Sequence, residues 1–589
     1  MEKNINVKIM GVFASILLLF IVITASFAYF GSFDVNLNNN VAVNINAVSP
    51  GDATFILNAT QLNLQVPAAN MSFTVANNTV AAKENTAFLD VTLTGSSNLL
   101  TTCTYDIVYE YDAGSNVYGQ GTTTKTSGAT KEITIEVNGM NGNNHFATET
   151  NFDHANIQSY YDSTNKYYKL VEGAKIQSLG SAQSVRWKIT GRYYNLDVSQ
   201  AQLVGKAFTG KIYAISKGCS SEDGSSVKKG YETILANNGG KTAIEAKTAD
   251  FTTVETSNAG LYSYTEGTGK TYYYRGAVDN NWVKYGKFKE DQIVYRGFRD
   301  DTTNTDVLFD SDENINYIDF QTLSECQTGV NYVAFYGSTY NYNCKAVTFA
   351  HKGDDMYWRI IRVDKDNKIR MIYAGNKAPS ESTKVMITGP ETTMGFTLYN
   401  TEFGHSEYVG FQYTTSSQRG TTTNSTIKTY LDNWYTKYFK ENISTSRFSQ
   451  TAFCNDRNTS GTWASTGSTI PYAAYTRLSA DTPVPTFECN SEDLFTNNLG
   501  LITADEIVLA GGKYDTANSV FYLNNNMLYW TGSPMAFETG NTAMLVLQFN
   551  NLMYYLINWY LGTVRGIITL SSDAKLLGNG TYNDVYTVN

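Results

Sequence analysis

Histidine is scarce in this chain, basic clusters are absent, and proline is thinly spread: four histidines and eight prolines stand among 589 residues. His145, His154, His351 and His405 never recur at the spacing that sets two imidazoles on one face of a helix or strand, so a histidine-built metal site is not indicated. With no run of lysine or arginine, a formal net charge of -10 and a pI near 5.1, the chain has no electrostatic footprint for nucleic acid or an anionic membrane surface. CxxC is missing, which excludes zinc ribbons and thioredoxin-like redox sites. GxSxG is missing, and no serine, histidine and aspartate arrangement emerges to mark a nucleophile. "GTGKT" at Gly267–Thr271 ends like a phosphate-binding loop, but Tyr264 stands where its first glycine belongs and no apolar strand runs into it.

Two stretches place oxygen ligands at alternate positions, from Asp34 and from Asp310. Their sixth residues, Asn39 and Ile315, replace the glycine of a calcium loop, and their twelfth, Ile45 and Gln321, supply no bidentate carboxylate. Asp310, Asp312 and Asn314 stay open as a calcium site of another kind. His351 with Asp354 and Asp355 reads as a polar turn rather than an acid–base cluster. We expect no catalytic residues, no metal and no cofactor.

What the chain does have is apolar mass, with 42% hydrophobic and 13% aromatic residues, ample for folded cores and too much for intrinsic disorder. One long uncharged run, Ile9 to Phe30, is about 33 Å long as a helix, enough to cross a bilayer core. Ser26-Phe27-Ala28 also fits the small-residue rule for signal-peptide cleavage between Ala28 and Tyr29. Lys3 and Lys8 precede the run and the next positive residue is Lys83, so either reading, anchor or leader, puts the rest of the chain outside the cell. In that oxidising setting six cysteines invite disulfides. Fifteen pairings are open to them. Proximity and shared domain membership favour Cys326 with Cys344 and Cys454 with Cys489, leaving Cys103 with Cys219.

From residue 31 to 218 short segments alternate apolar and polar residues at period two: "ATFILNATQLNLQV", "TAFLDVTLTG", "CTYDIVYEYD", "KEITIEV", "SVRWKITGRYY" and "FTGKIYAIS". Seven or more such strands with turn signals predict an all-β, immunoglobulin-like sandwich. The leader "SFAYF", followed by a polar β-rich segment, resembles those of the TasA and camelysin family of exported biofilm-matrix proteins. That resemblance implies cleavage after Ala28.

Residues 219–270 read as a linker with one short helix, "SSVKKGYETILANNGG", capped by serine and stopped at Asn237 to Gly240. The last part, 271–589, reads as an α+β domain. A hairpin is predicted from Trp358–Val363 to Lys368–Tyr373 across Asp364–Asn367. Ile427, Leu431, Trp434 and Tyr438 form a core-facing helical stripe with Ser425 as cap, and Thr503 caps a second helix ended by Gly511-Gly512. "YYYRGAVDNNWVKYGKF", "DDMYWRIIRV", "TIKTYLDNWY", "FCNDR", "YTRL", "GLITADEI" and "YWTGSP", in that order, resemble the DUF6273-type domain of exported proteins from low-GC Gram-positive bacteria, over about Gly230 to Asn589. The family's usual Arg-Pro-Val-Ile-Asn is Arg565-Gly566-Ile567-Ile568-Thr569 here. The resemblance implies a C-type-lectin-like or sulfatase-modifying-like fold, a scaffold for ligand-binding loops; the calcium-and-sugar motifs of true C-type lectins are absent.

Tyrosine and tryptophan faces stack on sugar rings while their polar tips bond hydroxyls, which makes Trp530, Tyr554 and Trp559 the ligand-binding candidates. The alternative for Trp530 and Trp559 is a place in the core. The expectation is a multidomain, non-enzymatic, cell-surface or secreted protein, adhesin-like, binding a surface glycan or protein. It touches the membrane through its N-terminal helix if that helix is retained. A structural matrix or fibre subunit, and more remotely an extracellular hydrolase, are the alternatives.

Overall fold

The computed structural model describes residues 43–46, 54–65, 83–95, 99–112, 132–139, 142–180, 182–194, 207–224, 227–299, 317–328, 342–440, 447–467, 469–538, 540–558 and 561–589. They belong to two units, Met1–Ser226 and Val227–Asn589. The leader with Ala28 and Tyr29, both calcium-like stretches and Trp559 lie outside the described residues. Among the described residues no helix is long and apolar enough to cross a membrane.

The first unit is a β-sandwich of two antiparallel sheets. Lys83–Thr94 shows how its pattern works: Ala87, Leu89, Val91 and Leu93 turn inward while their neighbours face out. This strand lies between Thr54–Leu57 and Gln183–Tyr193 in one sheet. In the other, Leu99–Tyr111 lies between Tyr167–Ser178 and Ala207–Asp223. The stretch "ATFILNATQLNLQV" is two strands: Thr54–Leu57 joins the first sheet and Ala59–Gln65 the second, the chain crossing over at Asn58. Trp187 spans the interior and donates its indole N–H to the Tyr105 hydroxyl at 3.0 Å, so a buried polar tip is satisfied across the sheets. Cys103 and Cys219 are directly opposed on paired strands and joined by a disulfide.

The second unit is α+β with more sheet than helix. A nine-stranded sheet has Asp355–Val363 at its centre, paired on one side with Ile369–Gly375. Both strands are buried along their whole length, as expected for central strands covered on two faces. Gly269–Gly276 and Trp282–Lys287 share the other edge of Asp355–Val363 end to end. The predicted hairpin is present, its turn closed by Asn367 at φ 61°. A second, six-stranded sheet runs in the order Phe396–Thr397, Gly562–Thr563, Leu528–Glu538, Asn541–Gln548, Asn551–Leu556, with Ile470–Pro471 also on Leu528–Glu538. A third sheet sets Gln292–Arg299 between Tyr317–Phe320 and Tyr342–Ala350.

The stretch 219–270 is not a linker. Residues up to Asp223 complete the last strand of the first unit, while Gly230–Asn237, Gly240–Glu245 and Asn258–Glu266 are two helices and a strand of the second. Their Ile234, Leu235 and Ile244 are buried in its core, and Gly230 N–H bonds Ala574. Composition misleads here because the stretch is polar on one face only. The first helix is capped from Lys229, whose backbone N–H bonds the Glu232 carboxylate at 3.1 Å, in place of a serine. "GTGKT" is a hairpin turn, with Glu266 opposite Gly269.

Lys284, on the Trp282–Lys287 strand, is buried with Asp355 3.9 Å away. Burial, partly offset by Asp355 and reinforced by Lys287, lowers its pKa from 10.5 to about 8. The folded pKa lies below the unfolded one, so between these values the unfolded chain holds the extra proton and stability rises with pH. Lys287 lies closer to Asp355, at 2.5 Å, and keeps the carboxylate paired if Lys284 is replaced. Lys284→Met is therefore expected to flatten that rise and to stabilise the second unit by about 1–4 kcal/mol at pH 7, read from denaturant unfolding at pH 7 and pH 10. A loss of stability at both values would contradict this.

Candidate functional site

The sequence candidates separate in space. Trp530 is fully buried, donates its indole N–H to the Thr397 carbonyl at 2.9 Å and packs edge-on against Tyr399. It cannot stack on a ligand, and its assignment as a binding residue is corrected to a core role. Tyr554 is 46% exposed, on the edge strand Asn551–Leu556. That edge lies four strand spacings, about 19 Å, from Phe396–Thr397 at the opposite edge of the same sheet.

Beside Phe396–Thr397 the second unit opens into a cleft of about 470 Å³. One wall is the third sheet with its short helix Leu323–Thr328, giving Asp319, Gln321 and Glu325. The other is the helix Thr426–Trp434, giving Thr429, Tyr430 and Asn433. The loop at Asn400–Glu402 and the small hairpin bearing Tyr413 and Asn424 close the end.

The walls follow from local sequence. Ser425 caps the helix, its hydroxyl accepting from Lys428 N–H at 3.3 Å. Ile427, Leu431, Trp434 and Tyr438 are buried as the stripe predicts, the last of them in a π-helical turn, Tyr435–Phe439, that extends the helix. With that face turned to the core, Thr429 and Asn433 are left exposed towards the cleft. Tyr430 reaches inward and donates to the Met394 carbonyl at 2.6 Å. Gly395, at φ 123°, makes this possible, because a Cβ there would sit 2.0 Å from the tyrosine oxygen. The cap of Leu323–Thr328 is reciprocal: Thr322 N–H bonds Glu325, and Glu325 N–H bonds the Thr322 hydroxyl. The Cys326–Cys344 disulfide ties this helix to the neighbouring strand.

The loop at the cleft's end is seated on the helix N-terminus, where Thr401 N–H donates to the Thr426 hydroxyl at 3.0 Å and Asn400 bonds the Tyr408 carbonyl. Arg457 holds the hairpin from beneath. It donates to the carbonyls of Gln412 and Gly420, both at 3.1 Å, and pairs with the buried Asp493 at 3.1 Å.

No lysine or arginine lines the cleft, and three carboxylates do. Asp319 is neutralised by a bidentate pair with Arg296 at 2.8 and 2.9 Å. Glu325 is engaged in its cap. Glu402 is exposed, and its carboxylate has no hydrogen-bond or ion-pair partner among the described residues. Burial first, then the negative Glu402 and Tyr408, push the Tyr413 hydroxyl up, against a hydrogen bond with Asn400. Burial does the same to Tyr430, so both phenols are neutral donors at physiological pH. Phe403, beside Glu402 in the chain, is 55% exposed.

One cluster resembles hydrolytic machinery. His405 Nδ1 lies 2.9 Å from Ser465 Oγ and 3.3 Å from Glu407, and Ser465 Oγ itself donates to Glu407 at 2.8 Å. In a nucleophile–base–orienter chain the imidazole bridges the other two groups through separate nitrogens. Here one nitrogen faces both, so the trio anchors one loop to another. The polar turn at His351 is also structural: Asp354 accepts from His351 N–H at 2.9 Å and from Asn376 at 3.0 Å, while Asp355 pairs with Lys287.

Sequence reasoning missed Asn400, Glu402, Tyr413 and Asn433. The available signal was that Thr429, Tyr430 and Asn433 lie off the helical stripe. The fold and this site define a two-unit, β-rich, disulfide-bonded protein with an acidic, hydroxyl- and amide-lined cleft. Comparison with family models, with curated proteins and with solved structures finds no match to the chain.

Proposed function

We propose that this is a non-enzymatic extracellular protein, at the cell surface or secreted, whose second unit binds a glycan in the cleft between Phe396–Thr397 and the helix Thr426–Trp434. In this reading the first unit is an immunoglobulin-like support and the second a C-type-lectin-like scaffold of the DUF6273 type. The observation that carries it is the cleft's chemistry. Side-chain amides, threonine hydroxyls and a neutral tyrosine offer donors and acceptors to sugar hydroxyls, and Phe403 offers an apolar face at the rim. Three disulfides are compatible with an oxidising compartment.

The test is binding of the full chain to a broad glycan array. Asn433→Arg, which fills the cleft from an exposed helix position, is expected to weaken the hits at least tenfold. Tyr554→Ala, at the far sheet edge, is expected to leave them unchanged. Hits insensitive to Asn433→Arg, or a blank array, would remove the cleft as a glycan site.

A further inference from the structure

The cleft's charge sets a selectivity that rests on the glycan reading. Its ionisable lining consists of Asp319, Glu325, Glu402 and two tyrosines, with no cation to receive a carboxylate, sulfate or phosphate. Asp319 is already spent on Arg296. Glu325 and Glu402 remain as net negative charge, and Glu402 presents an unpaired carboxylate beside the buried Tyr413. An anionic sugar entering here would leave its charge unpaired against two carboxylates, a repulsion the chain's net charge of -10 reinforces. An ammonium group, in contrast, meets Glu402 at a position open to solvent and enclosed on one side by Tyr413.

We infer that the cleft takes sugar chains bearing free amines, accepts uncharged ones more weakly, and rejects anionic ones, with Glu402 as the residue that discriminates.

The test uses the full chain and three soluble oligomers of matched length: glucosamine, N-acetylglucosamine, and a glucuronate-containing hyaluronan fragment, at low and physiological salt. The glucosamine oligomer is expected to bind at least tenfold more tightly than the hyaluronan fragment, with the gap narrowing as salt rises. Glu402→Gln is expected to lower affinity for the glucosamine oligomer about three- to fivefold, the scale of one partly exposed ion pair, while leaving the N-acetylated oligomer unaffected. Equal or tighter binding of hyaluronan would overturn the selectivity and leave the glycan reading standing. An unchanged preference in Glu402→Gln would overturn the role of that residue. No binding of any oligomer would overturn both.

Discussion

Replacing Arg477 by methionine is expected to cost the second unit about 3–5 kcal/mol at pH 7.5 and distinctly less near pH 4, as read from denaturant unfolding of the full chain. Arg477 donates to Asp505 at 2.5 and 2.8 Å and also to Asp456, and Asp505 is 2% exposed. Without the guanidinium two buried carboxylates face each other unpaired. Burial already raises the Asp456 pKa, with Arg477 opposing and Asp505 adding to the rise. A carboxyl whose folded pKa exceeds its unfolded one binds its proton more tightly in the native state, so its contribution to stability is lost as pH climbs through that window. Methionine removes the opposing pull, raises Asp456 further and widens the window. The deficit of the variant relative to the parent must therefore grow between about pH 4 and pH 7.5. A deficit independent of pH would show that Arg477 acts by packing alone.

The second large effect belongs to the first unit. Cys103→Ala with Cys219→Ala opens a loop of sequence separation 116, and chain-entropy arguments assign that about 5 kcal/mol, against about 3 for the separation of 18 closed by Cys326–Cys344. Calorimetry of the full double variant is expected to show one transition lowered by about 10–20 °C and the transition of the second unit unmoved. An unmoved first transition would mean that the paired strands on either side of Cys103 and Cys219 already confine the chain as tightly as the bond does. Movement of both transitions would show the two units unfolding together.

The family-like motifs turn out to be framework. Asp456 of "FCNDR", Arg477 of "YTRL" and Asp505 of "GLITADEI" meet in one buried ion cluster, while Glu506 of the last segment pairs with Arg362 of "DDMYWRIIRV" at 3.1 Å. Arg359 from the same strand donates to Asn281 and to the carbonyls of Val278 and Val385, beneath the ring of Trp282. Buried arginines thus pin irregular loops by their carbonyls. This explains how a unit with so much non-repetitive chain keeps a defined cleft, and why motifs in sequence pointed away from it.

Short-range physics was legible in the residues alone. Alternation marked most strands of the sandwich, the stripe from Ile427 to Tyr438 oriented a helix, Ser425 and Thr503 capped as expected, and the six cysteines paired as proximity favoured. The strand Tyr167–Ser178 went unmarked because two register irregularities break its period. Trp530 misled because an indole whose N–H is bonded to a buried carbonyl has the same composition as one waiting for a sugar. What only the tertiary structure decided is the meeting of Gln321, Glu402, Tyr413, Asn433 and Leu561, drawn from segments that share no local pattern. Helix caps, turns and strand periods act over a few residues and are written in them. A cleft is the surface left over when distant apolar faces have found one another, and no short stretch of chain encodes where that surface falls.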